Sequence, residues 1–216
     1  MSMLLDTDER ILDAAQQTLH TLEQDKEVLK QMKAHGFPAD GIKVGKTASQ
    51  KATDARHQKD ACYDAQWELG QQVNAQQTAV WALFREHAKL ARTAYRNEPG
   101  VIHTLRIERF VRGGWPGVRQ AAHFYHKMQE RNLSLQTLGV SDQEIQQATT
   151  DITDLMVLRQ MRTRQKAKSE SCTQAKNKAV HELRVWVMEV RSTARLAFKK
   201  NPQMLEAFGV VVRATV

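Results

Sequence analysis

Apolar residues recur three and four positions apart along most of this chain, the spacing that lines up one face of an α-helix. The first such stretch, Thr7 to His35, carries Ile11, Ala15, Thr18, Leu22, Leu29 and Met32. Asp6 is placed to cap it, with Glu9 three residues on as in a capping box. Gly36 is placed to end it, because glycine takes the left-handed conformation at a helix C-terminus without steric cost. After a connection from Gly36 to Lys46, a second stretch runs to about Arg96. It carries Cys62, Leu69, Val73, Val80, Leu83, His87, Leu90 and Ala94 in a mainly heptad rhythm. A helix of roughly fifty residues would span about 75 Å, and Gly70 is where it could bend or break.

Pro99 stops this helix, and a short apolar segment, Val101 to Val111, follows. The cluster Gly113-Gly114-Trp115-Pro116-Gly117 is the strongest run of helix breakers in the chain and reads as a junction. Beyond it a third helix is expected from Val118 to about Leu138, closed by Gly139. Ser141 and Glu144 form a capping box that opens a fourth, reaching Lys200. Asn201 then caps a short helix with Pro202 at its first position.

The elements come in the same order twice. At an offset of 103 residues, Gly36 falls on Gly139, Asn74 on Asn177, Glu86 on Glu189, Ala91-Arg92 on Ala194-Arg195 and Pro99 on Pro202. There are 11 identities over 64 gapless positions, and the weight lies in their placement at helix stops. Self-similarity of this kind predicts two copies of one unit, residues 1–112 and 113–216. Two helices alone leave one face of each in water, so the copies are expected to pack together. The predicted fold is all-α: an internally duplicated, four-helix up-and-down bundle with two long helices.

Composition agrees with helix. The chain is 41% hydrophobic and 26% charged with only 4 prolines, which is globular rather than disordered. Alternating runs of Val, Ile and Thr are missing, so no sheet is expected. The N-terminus lacks a basic region followed by a long apolar run, and apolar runs such as Val80–Phe84 and Gly209–Val212 are far too short to span a bilayer. The reading is a cytoplasmic protein with no membrane partner. Cys62 and Cys172 are not aligned by the repeat and have no CxxC partner, so they are read as free core thiols, with a disulfide staple or a metal pair as the less favoured reading.

Charge separates the copies. Residues 1–107 hold 14 basic and 14 acidic residues, whereas residues 108–216 hold 18 and 10 and carry the entire +8. Arg159, Arg162, Arg164, Lys166, Lys168, Lys176 and Lys178 are the candidate polyanion-binding residues, since cationic side chains bind nucleic acid by displacing counterions from phosphates. They wrap the helix rather than striping it, and no aromatic residues interleave them.

Candidate chemistry is sparse. Glu-x-x-His, the di-iron bundle motif, does not occur. His123, His126 and Glu130 share a helical face but are read as ordinary polar residues, and His87 as a core histidine. Gly41 to Thr47 ends in Gly-Lys-Thr, but its first glycine is one residue too close for a phosphate loop, and no strand precedes it. There is no nucleophile elbow. No catalytic residue, metal ligand or cofactor is assigned.

Trp67 and Trp81 fall on the outer side of the second helix if Leu69, Val73 and Val80 face inward, which marks a candidate partner interface. The function expected is a structural or interaction protein that self-associates as a homodimer. The alternatives are nucleic-acid or polyanion binding through the basic second copy, and metal or small-ligand binding in the bundle core.

Overall fold

The computed structural model describes residues 7–111 and 114–210, and these form helices with no strand among them. In chain order the helices are α1 (Asp8–Gln24), α2 (Lys26–Ala34), α3 (Gly41–Ala94), α4 (Pro99–Leu105), α5 (Gly114–Glu130) and α6 (Asp142–Ala197). A 3₁₀ turn covers Gln136–Leu138, and a 3₁₀ helix covers Pro202–Phe208.

Local side-chain chemistry adjusts the expected boundaries. Thr7 caps α1, its Oγ1 accepting from the Arg10 N–H at 3.4 Å; Asp6, the expected cap, lies outside the described residues. The single first helix expected is two. Asp25 Oδ1 accepts from the backbone N–H of Glu27 and Val28, both at 3.0 Å, and so ends α1 and caps α2 at once. A short carboxylate competing for backbone donors favours a helix start over a helix interior. Gly36 ends α2 at φ +96°, with Phe37 N–H donating to Met32 O at 3.0 Å.

The second helix begins at Gly41, earlier than expected, and passes through Gly70 unbroken for 54 residues. Its partner α6 is 56 residues long. Gly114 to Gly117 forms the first turn of α5, where a missing proline N–H costs nothing; Gly113 lies outside the described residues. Gly117 is required by packing, because a Cβ there would sit 2.8 Å from the Trp81 ring. α5 ends at Glu130, well before Leu138, where Asn132 turns the chain at φ +53°.

The buried apolar residues form two clusters, where one continuous seam was expected. They belong to two compact units, one made of residues 1–63 with 168–216 and the other of the contiguous stretch 64–167. These units are not the sequence repeats, since each takes the start of one long helix and the end of the other. In the split unit, Ile11, Leu22 and Met32 from α1 and α2 pack with Leu183 and Val187 of α6 and Phe208 of the 3₁₀ helix. In the contiguous unit, Phe84 of α3 packs with Leu105, Phe124 and Tyr125 of α4 and α5 and with Ile152 and Leu155 of α6. Gln120 fixes the α4–α5 connection there. Its Nε2 donates to the carbonyls of Arg106 (2.6 Å) and Arg109 (2.7 Å), and its Oε1 accepts from Val111 N–H at 2.9 Å.

The ends of the long helices are built alike at the offset of 103 residues. α3 and α6 stop at Ala94 and Ala197, and the short helices that follow run over 99–105 and 202–208. Each ends on a left-handed residue, Arg106 at φ +53° and Gly209 at φ +69°. Ile107 N–H donates to Ile102 O as Val210 N–H donates to Leu205 O, and Phe37 N–H to Met32 O as Val140 N–H to Leu135 O.

Trp186 anchors the split unit. It is 6% exposed, its Nε1 donates to Gly41 O at 3.0 Å, and its indole lies so close to Gly45 that a Cβ there would be 2.2 Å away. Truncating a buried Trp costs about 3–5 kcal/mol. Trp186→Ala is therefore expected to lower the unfolding free energy of the full chain, read from denaturant titration, by an amount in that range, and an unchanged unfolding curve would show that the anchor contributes nothing.

Candidate interaction surfaces

Trp67 and Trp81, paired by the sequence as outward residues, sit in different surroundings. Trp67 is 67% exposed. Trp81 packs inward, its ring centroid 5.3 Å from Phe84 and 6.3 Å from Phe110, with its face against Gly117. The start of α5 covers this flank of α3, and a helical glycine makes the room. That contact joins residues far apart in the chain, so helical spacing alone did not reveal it.

The seven basic residues of α6 are divided between the units. Arg159, Arg162, Arg164 and Lys166 belong to the contiguous unit, and Lys168, Lys176 and Lys178 to the split unit. Arg159 stacks its guanidinium 3.8 Å from the Trp115 ring centroid, a cation–π contact. Arg162 lies beside Gly70. Lys176 is largely buried and pairs with Asp8 at 2.6 Å. Arg164, Lys168 and Lys178 are exposed.

Cys62 and Cys172 are not free thiols but a disulfide, with Cα atoms 6.8 Å apart. Antiparallel packing of α3 and α6 brings together two residues separated by 110 positions, which spacing along the chain could not show. The link lies in the most polar part of the split unit. Between Thr53 and Tyr63 only Cys62 is buried, and between Lys168 and Lys178 only Ser169. Ser169 Oγ donates to Cys62 O at 2.9 Å, and Thr173 Oγ1 to the Tyr63 hydroxyl at 3.4 Å. With little apolar area to hold the helices here, the covalent link is the strongest connection between them. Closing a loop of about 100 residues stabilises the folded state by up to about 4.7 kcal/mol in the chain-entropy model. Reduction, or Cys62→Ser with Cys172→Ser, is expected to lower the melting temperature markedly, and thiol counting under non-reducing denaturation should find no free thiol.

His87 and Tyr125 form the buried polar pair of the contiguous unit. The Tyr125 hydroxyl lies 3.0 Å from His87 Nδ1, and the two residues are 1% and 4% exposed. Burial raises the Tyr125 pKa well above its ordinary value. Burial lowers the His87 pKa from 6.5, against the smaller opposite pull of Glu86 and Glu144.

The other histidines are peripheral. His123 Nε2 lies 2.9 Å from Thr104 O, and His126 lies 3.7 Å from Glu130 on the surface. Among the described residues no group of three or more His, Cys, Asp or Glu is placed to hold a metal ion. Gly41 to Thr47 forms the first turns of α3 and so presents no phosphate loop. An open groove of about 440 Å³ runs over Val44, Ala48 and Trp186, with the Lys51–Glu182 ion pair, 2.9 Å, at its rim. No helix among the described residues is long and apolar enough to cross a membrane.

Comparison of the chain with protein-family models, with curated proteins and with solved structures finds no match.

A buried histidine with a lowered pKa makes stability depend on pH in a fixed direction. The unfolded chain binds the proton more readily than the folded one, so stability rises with pH in this range. It is fully present above the unfolded value near 6.5 and is lost as pH falls through the lower folded value. Unfolding measured between neutral and mildly acidic pH should show this loss, and His87→Gln should flatten the dependence.

Proposed function

We propose that this chain is a non-catalytic helical protein built by internal duplication, whose role is assembly, first of all with a second copy of itself. The observation that carries the reading is the exposure of large apolar side chains on the long helices away from the two cores. Trp67 is 67% exposed, Val157 50% and Met161 47%. Large apolar side chains left in water, a tryptophan above all, are more typical of an interface than of a solvated helix face.

The duplication is supported by the matched helix stops and left-handed turns at the constant offset of 103 residues. Closed two-fold pairing is the commonest way for identical chains to cover such a face. Polyanion binding is the less favoured reading. Arg159 already stacks on Trp115 and Lys176 already pairs with Asp8, so two of the seven candidate cations serve the protein's own packing.

Sedimentation equilibrium across a wide concentration range, at physiological salt, tests self-assembly. The expected result is a species of twice the 24.6 kDa chain mass. A mass that stays at 24.6 kDa at every concentration would overturn it.

A further inference from the structure

Charge is segregated along the stretches of the two long helices that lie in the contiguous unit and just beyond its ends. From Asp60 to Phe84, α3 has no Lys or Arg, while Asp60, Asp64 and Glu68 follow one another at four-residue spacing. From Leu155 to Lys168, α6 has no Asp or Glu and carries Arg159, Arg162, Arg164, Lys166 and Lys168. Opposite charges this close in one molecule would ordinarily pair across the helices. Among the described residues no ion pair involves Asp64, Glu68 or Arg164.

The register places these residues at one level. Gln76 Nε2 donates to Asp151 O at 3.0 Å, and Arg162 lies beside Gly70, so α3 and α6 run antiparallel with positions 68 and 164 nearly level. On a helical wheel, Asp64 and Glu68 lie away from the inward Val73 and Val80. Val157, Met161 and Arg164 lie away from the inward Ile152 and Leu155, and the two faces open on the same side of the pair. The result is one surface with an acidic edge on α3, a basic edge on α6, and the exposed Val157 and Met161 beside the basic edge.

We infer that this surface, Asp64 and Glu68 on α3 with Val157, Met161 and Arg164 on α6, is where a second copy of the chain docks. A two-fold axis running along the helices sets the acidic edge of one copy over the basic edge of the other, at the same level and twice over. The exposed Val157 and Met161 are covered in the same step. A like-charged edge would repel itself in that arrangement, so the segregation of charge specifies partner and orientation together. The inference rests on the self-assembly proposed above and adds its location.

The test is charge exchange. Asp64→Lys with Glu68→Lys makes one variant and Arg164→Glu the other, all at exposed positions, with helix content checked by circular dichroism. Each variant alone should dimerise at least about tenfold more weakly than the native chain by sedimentation velocity. Mixed in equal amounts the two should recover a heterodimer, because each now carries the complement of the other. Asp13→Lys, a charge reversal on α1, should leave dimerisation unchanged. If the native chain dimerises but the variants do so equally well, or their mixture recovers nothing, or the α1 control weakens dimerisation as much, this surface is wrong while self-assembly stands. If the native chain is a monomer throughout, both fall.

Discussion

A helix of more than fifty residues is not held by its own hydrogen bonds. Most of its stability comes from an apolar face buried against something else. α3 and α6, at 54 and 56 residues, meet this requirement in halves. The start of α3 and the end of α6 are covered in one unit, and the end of α3 and the start of α6 in the other. Everything else follows from that division. The shorter helices are lids on one cluster or the other, and the helix stretches outside the clusters are left largely exposed, the one in the split unit polar as well. In the split unit that polar stretch is joined by the Cys62–Cys172 disulfide and the Ser169–Cys62 hydrogen bond.

Both clusters seat a tryptophan over a helical glycine. Trp186 lies on Gly45, and Trp81 lies on Gly117. Glycine weakens a helix interior by about 1 kcal/mol relative to alanine. Here that cost is offset by the close approach it allows to a large aromatic surface, which dominates core energetics. Any side chain at either glycine would have to displace the ring.

Both units also close on an arginine from the end of a long helix. Arg191 Nε donates to Phe208 O at 2.9 Å, and Arg92 Nε donates to Ile107 O. Each of these carbonyls sits at the left-handed turn that follows the short helix, where intrahelical donors have run out. Arg191 is 5% exposed, and burial holds its pKa below the ordinary arginine value. Arg92 lies against an aromatic face, its guanidinium carbon 4.3 Å from the Phe110 ring centroid. These cations tie the short helix and the loop beyond it back onto the cluster.

Helical class, the glycine stop at Gly36 and the proline start at Pro202 were legible in the sequence. Each is set by local conformational preference or by periodicity on a single helix, and neither depends on what packs against it. The break at Asp25 was legible in principle, since an aspartate poised before Glu27 and Val28 is a helix-capping signal inside an otherwise continuous stripe. The division into two cores was not, nor was the disulfide between residues 110 positions apart, nor the inward turn of Trp81. A heptad stripe records only that a face is apolar. Which helix covers which part of that face depends on the antiparallel register of α3 with α6 and on where α5 lands, and both are properties of long-range packing that no window of sequence contains.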